Sequence, residues 1–590
     1  MSTREVSVWA PRAARVDLVL DTRTVPMTGG DGGWFRARVE VEHGERYAFS
    51  LDGGPPRPDP RSTWLPDGVH SPGGFYDHDR FDWGDADWSG RAWRDAVLYE
   101  LHVGTFTPSG TFDGAIQRLD HLTGLGVTHI ELMPVAALDG PAGWGYDGVA
   151  PWSVHEPLGG PDGLKRFVDA AHARGLAVLV DVVHNHLGPS GNYLADFGPY
   201  FTDRVATPWG DAVNLDDAGS DEVRAYLLGS VEAWLRDFHA DGVRLDAVHE
   251  LHDNRALTFL EELAARVDAL AEQLGRRLVV VAESDRNDPV TVTPRDRQGL
   301  GMTAQWDDDV HHALHAWLTG ESQGYYADFA DDPARALQEV FSGAFFHAGT
   351  YSSFRGRIHG RPVDTQAVPG WRFVASLQTH DQVGNRAQGE RLSALVPPGR
   401  LAAGAALLML GPFVPMLFMG EEWGASTPWQ FFSSFPDPDL AAAVTAGRRA
   451  EFGSHGWDET HVPDPQDPAT LERSRLDWSE LGTDPHAALL DWYRVLAALR
   501  HAHPELRDPA LTEVGLEVDA ETAVMTRGSY RVVAWLGGEQ TTVPVPGADE
   551  VVASFAARDA PRLDTAGDVG GRSTVVVMPG ETVAVLRSTR

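Results

Sequence analysis

The sequence predicts an α/β protein in which a (β/α)8 TIM barrel lies between an N-terminal and a C-terminal β-sandwich. Three observations carry this expectation. Between about residues 96 and 500, short apolar runs alternate with stretches of helical periodicity, the rhythm of a parallel barrel. On either side, short alternating strands are broken by Gly, Pro and Asp. Several apolar runs of the middle part also end on carboxylates or histidines, and a barrel carries its site at the C-terminal strand ends. The expected division is residues 1–88, 89–503 with an insertion at about 185–219 after the third strand, and 504–590.

In the first part Val6, Val8, Val16, Leu18 and Leu20 alternate, followed by runs near Trp34-Phe35 and Tyr47-Ala-Phe49. The Pro-rich stretch 55–60 and the glycines near Gly73 are expected to be a return path and an exit. The first barrel strand is expected at 97–103. A helix over 113–125 follows, with Ile116, Leu119, Leu122 and Leu125 at helical spacing. Strands two and three are expected at 126–133 and 176–183, separated by a helix bearing Leu164, Phe167, Val168 and Ala171. Ser220 is placed to cap the next helix, which leads to strand four at Gly242. A helix over 257–274 precedes strand five at 278–282, and strands six to eight fit 302–306, 373–377 and 414–419. The last part offers strands at 514–518, 523–526, 531–536, 574–578 and 582–586.

At 590 residues the chain is long enough for two to four domains. Its 49 basic and 85 acidic residues give a formal charge of -36, which argues against nucleic acid and anionic membranes as partners. A neutral sugar is compatible with that surface. No cysteine is present, so disulfides and thiolate metal sites are excluded. The start of the chain lacks an apolar signal core and no uncharged run approaches 20 residues, so a cytoplasmic location is expected.

The chemistry centres on Gly-Val-Arg244-Leu-Asp246. On a strand, Arg244 and Asp246 share one face while Val243 and Leu245 take the other, and the cation keeps the carboxylate ionised. Strand three ends at Asp181 with His184, Asn185 and His186 beyond it. Strand five ends at Glu283 and Asp285, and strand seven at His380, Asp381 and Gln382. Two carboxylates flanking one bond suit glycoside hydrolysis, one ionised to attack and one protonated to release the leaving oxygen. Asp246 fits the first role. Glu283 fits the second, its pKa raised by the neighbouring charge. Asp381 beside His380 is placed to grip ring hydroxyls. Trp144, Tyr146, Trp306, Trp423 and Trp429 are candidate sugar-stacking faces.

These segments resemble the signature regions of glycoside hydrolase family thirteen, the α-amylase family. Asp181, Asn185 and His186 match the first region, Arg244 and Asp246 the second, Glu283 the third, and His380 and Asp381 the fourth. The resemblance implies a retaining mechanism with Asp246 as nucleophile, Glu283 as general acid/base and Asp381 as transition-state stabiliser. It also implies substrate contacts from Tyr146, Asp147, Asp181, His186, Arg244, Trp306, His380 and Gln382, a carbohydrate-binding-module-like N-terminal sandwich, no cofactor and no required metal. Longer stretches are similar to one branch of the family: Trp-Gly-Tyr-Asp-Gly-Val from Trp144, Thr-Pro-Trp-Gly from Thr207, Glu283-Ser-Asp-Arg-Asn-Asp-Pro and Gln305-Trp-Asp-Asp-Asp-Val-His-His. That similarity implies cleavage of the α-1,4 bond beside the terminal trehalose of malto-oligosyl trehalose, releasing trehalose and a maltodextrin.

His184 where the pattern has Tyr, Thr379 where it has Asn, and the segment 149–159 depart from the family and bear on the donor subsites. Three rivals stay in view. A glucan branching enzyme would share the three carboxylates. A metal-dependent barrel hydrolase would use His184 and His186 as an imidazole pair. A degenerate, non-catalytic barrel would lack one of the carboxylates. Asn185 is also a candidate calcium ligand.

Overall fold

Short runs of β-branched and aliphatic residues, each followed by a helix, bury both faces either between two helix layers or by closing into a barrel. The computed structural model describes residues 2–454, 462–556, 559–568 and 571–589. In it the strands β1 (Leu98–Leu101), β2 (His129–Leu132), β3 (Ala177–Val182) and β4 (Gly242–Leu245) are parallel neighbours. They are joined by β5 (Val279–Ala282), β6 (Ala304–Trp306), β7 (Phe373–Ser376) and β8 (Val414–Phe418). Together they form a closed barrel in the order β3-β4-β5-β6-β7-β8-β1-β2. All eight expected strands are present, and those with expected bounds are one to four residues shorter.

The period of two decides what each strand presents. Leu98, Leu179, Val281, Ala304, Trp306, Val374 and Met416 pack together inside the barrel. Their neighbours in sequence, among them Tyr99, Leu101, Val180, Val243, Leu245 and Phe373, join the core beneath the helices. Register then sets which inward residues meet: Glu100 lies opposite Glu131, and Asp181 opposite Arg244.

The helices Gly160–His172 and Phe259–Leu274 follow their apolar periodicity. The second is fixed by a capping box between Thr258 and Glu261 and ends at Gly275 with φ 65, a backbone conformation that glycine adopts without Cβ strain. Two expectations need correcting. Ser220 does not cap its helix: it is the first residue of Ser220–Arg236, and Gly219, left-handed at φ 83, occupies the cap position with no side-chain bond. The stretch 113–125 is two short helices, Phe112–Ile116 and Leu119–Leu125. Thr111 caps the first by accepting from Gly114 N, and Gly126 at φ 94 ends the second.

Two antiparallel sheets precede the barrel. One holds Ser2–Trp9, Trp34–Val41 and Thr28–Gly29, and the other Thr24–Pro26, Val16–Leu20, Arg46–Leu51 and Gly73–Gly74. The glycines expected as an exit are therefore a short strand paired with Arg46 and Tyr47. After the barrel come a five-stranded and a three-stranded antiparallel sheet. They pack face to face through Val533, Ala584 and Leu586 on one and Val543, Val576 and Met578 on the other. This part has three strands that the alternation did not reveal, Thr541–Pro544, Glu550–Ala556 and Arg562–Asp568. Among the described residues no helix is long and apolar enough to cross a membrane.

Candidate active site

Arg244 is the hub. It projects from β4 into the barrel mouth, fully buried, and its Nη1 donates to Asp181 Oδ2 and to Asp246 Oδ1, both at 2.8 Å. Its Nη2 lies 3.6 Å from Glu283 Oε2. One guanidinium thus ties together the carboxylates that end β3, β4 and β5. Burial works against its charge, and Asp181, Tyr146 and Asp246 more than offset that, so its pKa is raised. The indole of Trp306 covers it at 4.3 Å.

Asp246 is gripped from a second side by Asn185 Nδ2, 2.7 Å from its Oδ2. Directly after it the chain turns sharply through Ala247, whose φ of 39 is left-handed and costly for a residue with a Cβ. The turn aims the Ala247 N–H at Glu283 Oε2. Glu283 has a raised pKa chiefly because it is buried, with Arg244 opposing and Asp246 adding to the rise. The direction is the one the sequence suggests, but burial leads the neighbouring charge.

Asp381 stands at the N-terminus of the helix His380–Gly384, which a capping box between Thr379 and Gln382 fixes. Its carboxylate lies 3.5 Å from His380 Nε2 and keeps 44% of its side-chain surface exposed. His380 is held from behind by Glu100, which accepts from its Nδ1 and, at 3.1 Å, from its backbone N. Burial lowers the imidazole's pKa, but Asp381 and Glu100 outweigh it and push it up to about 9. His380 also stacks on Tyr146, centroids 5.0 Å apart, and Tyr146 donates to Asp181 Oδ2 at 2.7 Å. Burial lifts Asp181 to about 7 despite Arg244.

His186 closes this side through Tyr146 O, and its other nitrogen meets Asn185. His184 turns instead to Ser230 Oγ, 3.2 Å away in the helix layer. The chain leaves the strand at Val182, so alternation no longer aligns the two imidazoles, and they do not form a pair. Gln382 donates to Asp308 Oδ1 at 3.2 Å. Asp147 is half-buried, its pKa raised by burial, and among the described residues no hydrogen bond or ion pair links it to the network.

The aromatic expectations fare unevenly. Trp423 and Trp429 have no exposed surface. Trp423 donates to Glu480 and packs on Trp478, while Trp429 stacks on Trp144, so both are core rather than sugar platforms. Trp144 and Trp306 are buried as well, which leaves Tyr146 as the accessible ring of the five.

Several site groups escaped sequence reasoning. Trp209 lies on the hairpin of Phe201–Thr207 and Gly210–Val213 within the 185–219 insertion. It is 49% exposed and stacks flat on His186 at 4.3 Å. Asp308, just beyond β6, is pushed up to about 7 by burial and then by Glu283 and Asp381. Arg355 reaches Asp285 at 3.1 Å from a hairpin that exposes Tyr351, Phe354 and Ile358. Only contacts across separate loops reveal these groups.

Comparison with known proteins places the chain in a family. The family profile "Alpha amylase, catalytic domain" matches residues 72–200. The malto-oligosyltrehalose trehalohydrolase of Arthrobacter ramosus is 56% identical over 553 residues, 92% of this chain and 95% of that protein. That of Mycobacterium tuberculosis is 51% identical, covering 92% and 94%. Among solved structures, a putative α-amylase from Salmonella typhimurium aligns with a TM-score of 0.89 at 36% identity, over 99% of this chain and 98% of that one. The chain belongs to the malto-oligosyltrehalose trehalohydrolases of the α-amylase family.

Proposed function

We propose that this protein is a retaining α-glycoside hydrolase that cuts the α-1,4 bond next to the terminal trehalose of malto-oligosyl trehalose, releasing trehalose and a maltodextrin. The observation that carries the reading is the buried Arg244 fork, which holds Asp246 at 2.8 Å while one edge stays 3.6 Å from Glu283. A carboxylate held by a cation next to an acid whose pKa burial raises is the pair that glycosidic cleavage requires.

In the first step Asp246 attacks the anomeric carbon while Glu283 gives its proton to the departing glycosidic oxygen, and trehalose leaves. The glycosyl ester on Asp246 is then opened by water, whose proton returns to Glu283. Asp381 and the His380 imidazolium take the hydroxyls of the ring whose anomeric centre gains positive charge, and Tyr146 offers its face to that ring. Trp209, exposed and backed by His186, provides a second sugar platform. Asp308 and Gln382 are placed to accept and donate to sugar hydroxyls at the same mouth.

Incubation with maltopentaosyl trehalose tests the reading: equimolar trehalose and maltopentaose are expected. A change in amylose iodine staining without sugar release would point instead to glucan transfer and overturn it.

A further inference from the structure

Glu131 is an anomaly in the barrel wall. It comes from β2, is 1% exposed, and neither carboxyl oxygen has a hydrogen-bond partner in the protein. Interior positions of other strands near this level hold Leu98, Leu179 and Val281. A fully buried acid without a partner is costly where an aliphatic residue would pack.

Its surroundings suggest what it does. Register places it opposite Glu100, the residue that holds His380 at both its ring and its backbone nitrogen. Its charged neighbours are Glu100 from β1, Asp181 from β3, Arg244 from β4 and His380 from beyond β7. Nearby, Asp181 Oδ1 and Arg244 Nε and Nη2 also have no hydrogen-bond partner in the protein. Two carboxyls side by side and shut off from bulk solvent do not readily both carry charge, so one carries a proton and can donate. Burial first, and then Glu100, raise the pKa of Glu131, which makes it the member that keeps the proton.

We propose that Glu131 is a positioning residue for the hydrolysis: as the proton-bearing carboxyl of this buried cluster it donates, through internal water, to the Glu100 carboxylate and keeps the His380 imidazolium in place beneath the sugar. It touches neither substrate nor the reacting bond. Without that donation the Glu100–His380 pair, enclosed in apolar surroundings, relaxes by passing the imidazole proton to the carboxylate, and the site loses a positive charge. The role rests on the function proposed above, because it acts on the ring whose anomeric centre reacts.

Glu131→Gln and Glu131→Leu separate this role from plain packing. The amide can still donate, so Glu131→Gln is expected to keep kcat within about threefold of the parent. Glu131→Leu fills the space with an aliphatic chain and should hold or raise the melting temperature, yet lose kcat by about 30-fold with KM changed less than about threefold. Normal turnover by Glu131→Leu, or equal loss of activity and melting temperature in both variants, would overturn the proposal. If the parent releases no trehalose, the functional reading fails first. The same variants are then compared on maltohexaose, since the cluster serves any α-retaining cleavage at this mouth.

Discussion

The two halves of the barrel interior are built by one backbone rule and filled with opposite chemistry. On β1 to β4 the charged Glu100, Glu131, Asp181 and Arg244 stand toward the site above the apolar Leu98 and Leu179, while on β5 to β8 the interior is Val281, Trp306, Val374 and Met416 with the uncharged Ser376. The apolar half packs and covers. The polar half holds charge, and it does so through shared partners: Arg244 serves three carboxylates and Glu100 serves His380 twice. Charge placed in a low-dielectric interior is useful only if its neighbours fix it, so the reactive groups stand on the half where such neighbours are available or reach it from the strand ends.

That contrast can be broken in order of severity. Asp246→Asn removes the attacking oxygen, and a loss of at least about 10⁴-fold in kcat is expected, with the melting temperature nearly unchanged. Arg244→Lys keeps the charge but not the fork, so it cannot hold Asp181 and Asp246 on one nitrogen while facing Glu283. A loss of about 10²- to 10³-fold in kcat/KM should follow. Steady-state kinetics on malto-oligosyl trehalose check both.

A pH profile sharpens the comparison further. Glu283 must carry its proton to act as the acid, and its raised pKa extends activity upward in pH. Asp308, held up to about 7, becomes a like charge beside Glu283 only on the alkaline side of that value. Removing that charge in Asp308→Asn makes ionisation of Glu283 easier, so the alkaline limb of kcat/KM should move to lower pH, by about half a unit. A shift upward would contradict the arrangement.

The smallest catalytic effect is expected from the apolar half. Met416→Ala should cost about 2–5 kcal/mol of stability by leaving a cavity. Its kcat/KM below the melting transition should stay within about threefold of the parent. A large catalytic loss there would erase the distinction between the halves.

How far the sequence could be read follows from the same physics. The barrel strands were legible because an apolar run bounded by glycine or a charged residue has few alternatives, and the places of Asp246 and Glu283 were legible because each directly follows such a run, whereas Asp381 lies past its strand on a helix start. The exposed aromatic faces were not. Trp423 and Trp429 look like Trp209 in sequence, and only packing reveals that the first two are enclosed and the third lies open on a hairpin. Ser220 was misread as a cap because Gly219 takes the left-handed turn that sets the helix start. Glu131 gave no signal, since an acid within an apolar run is ordinary until both its oxygens prove buried and unpartnered. The strands at 541–544 and 562–568 were missed because they carry few apolar residues, and 550–556 because its burial does not alternate cleanly.

The most direct test is to trap the glycosyl-enzyme. Treated with a 5-fluoro α-glycosyl fluoride, which loads the nucleophile faster than water releases it, the protein should gain one sugar mass, and peptide mapping should place it on Asp246. A label on Asp381 or Glu283, or fluoride release that never leaves a covalent adduct, would contradict the assignment of Asp246 as the attacking group.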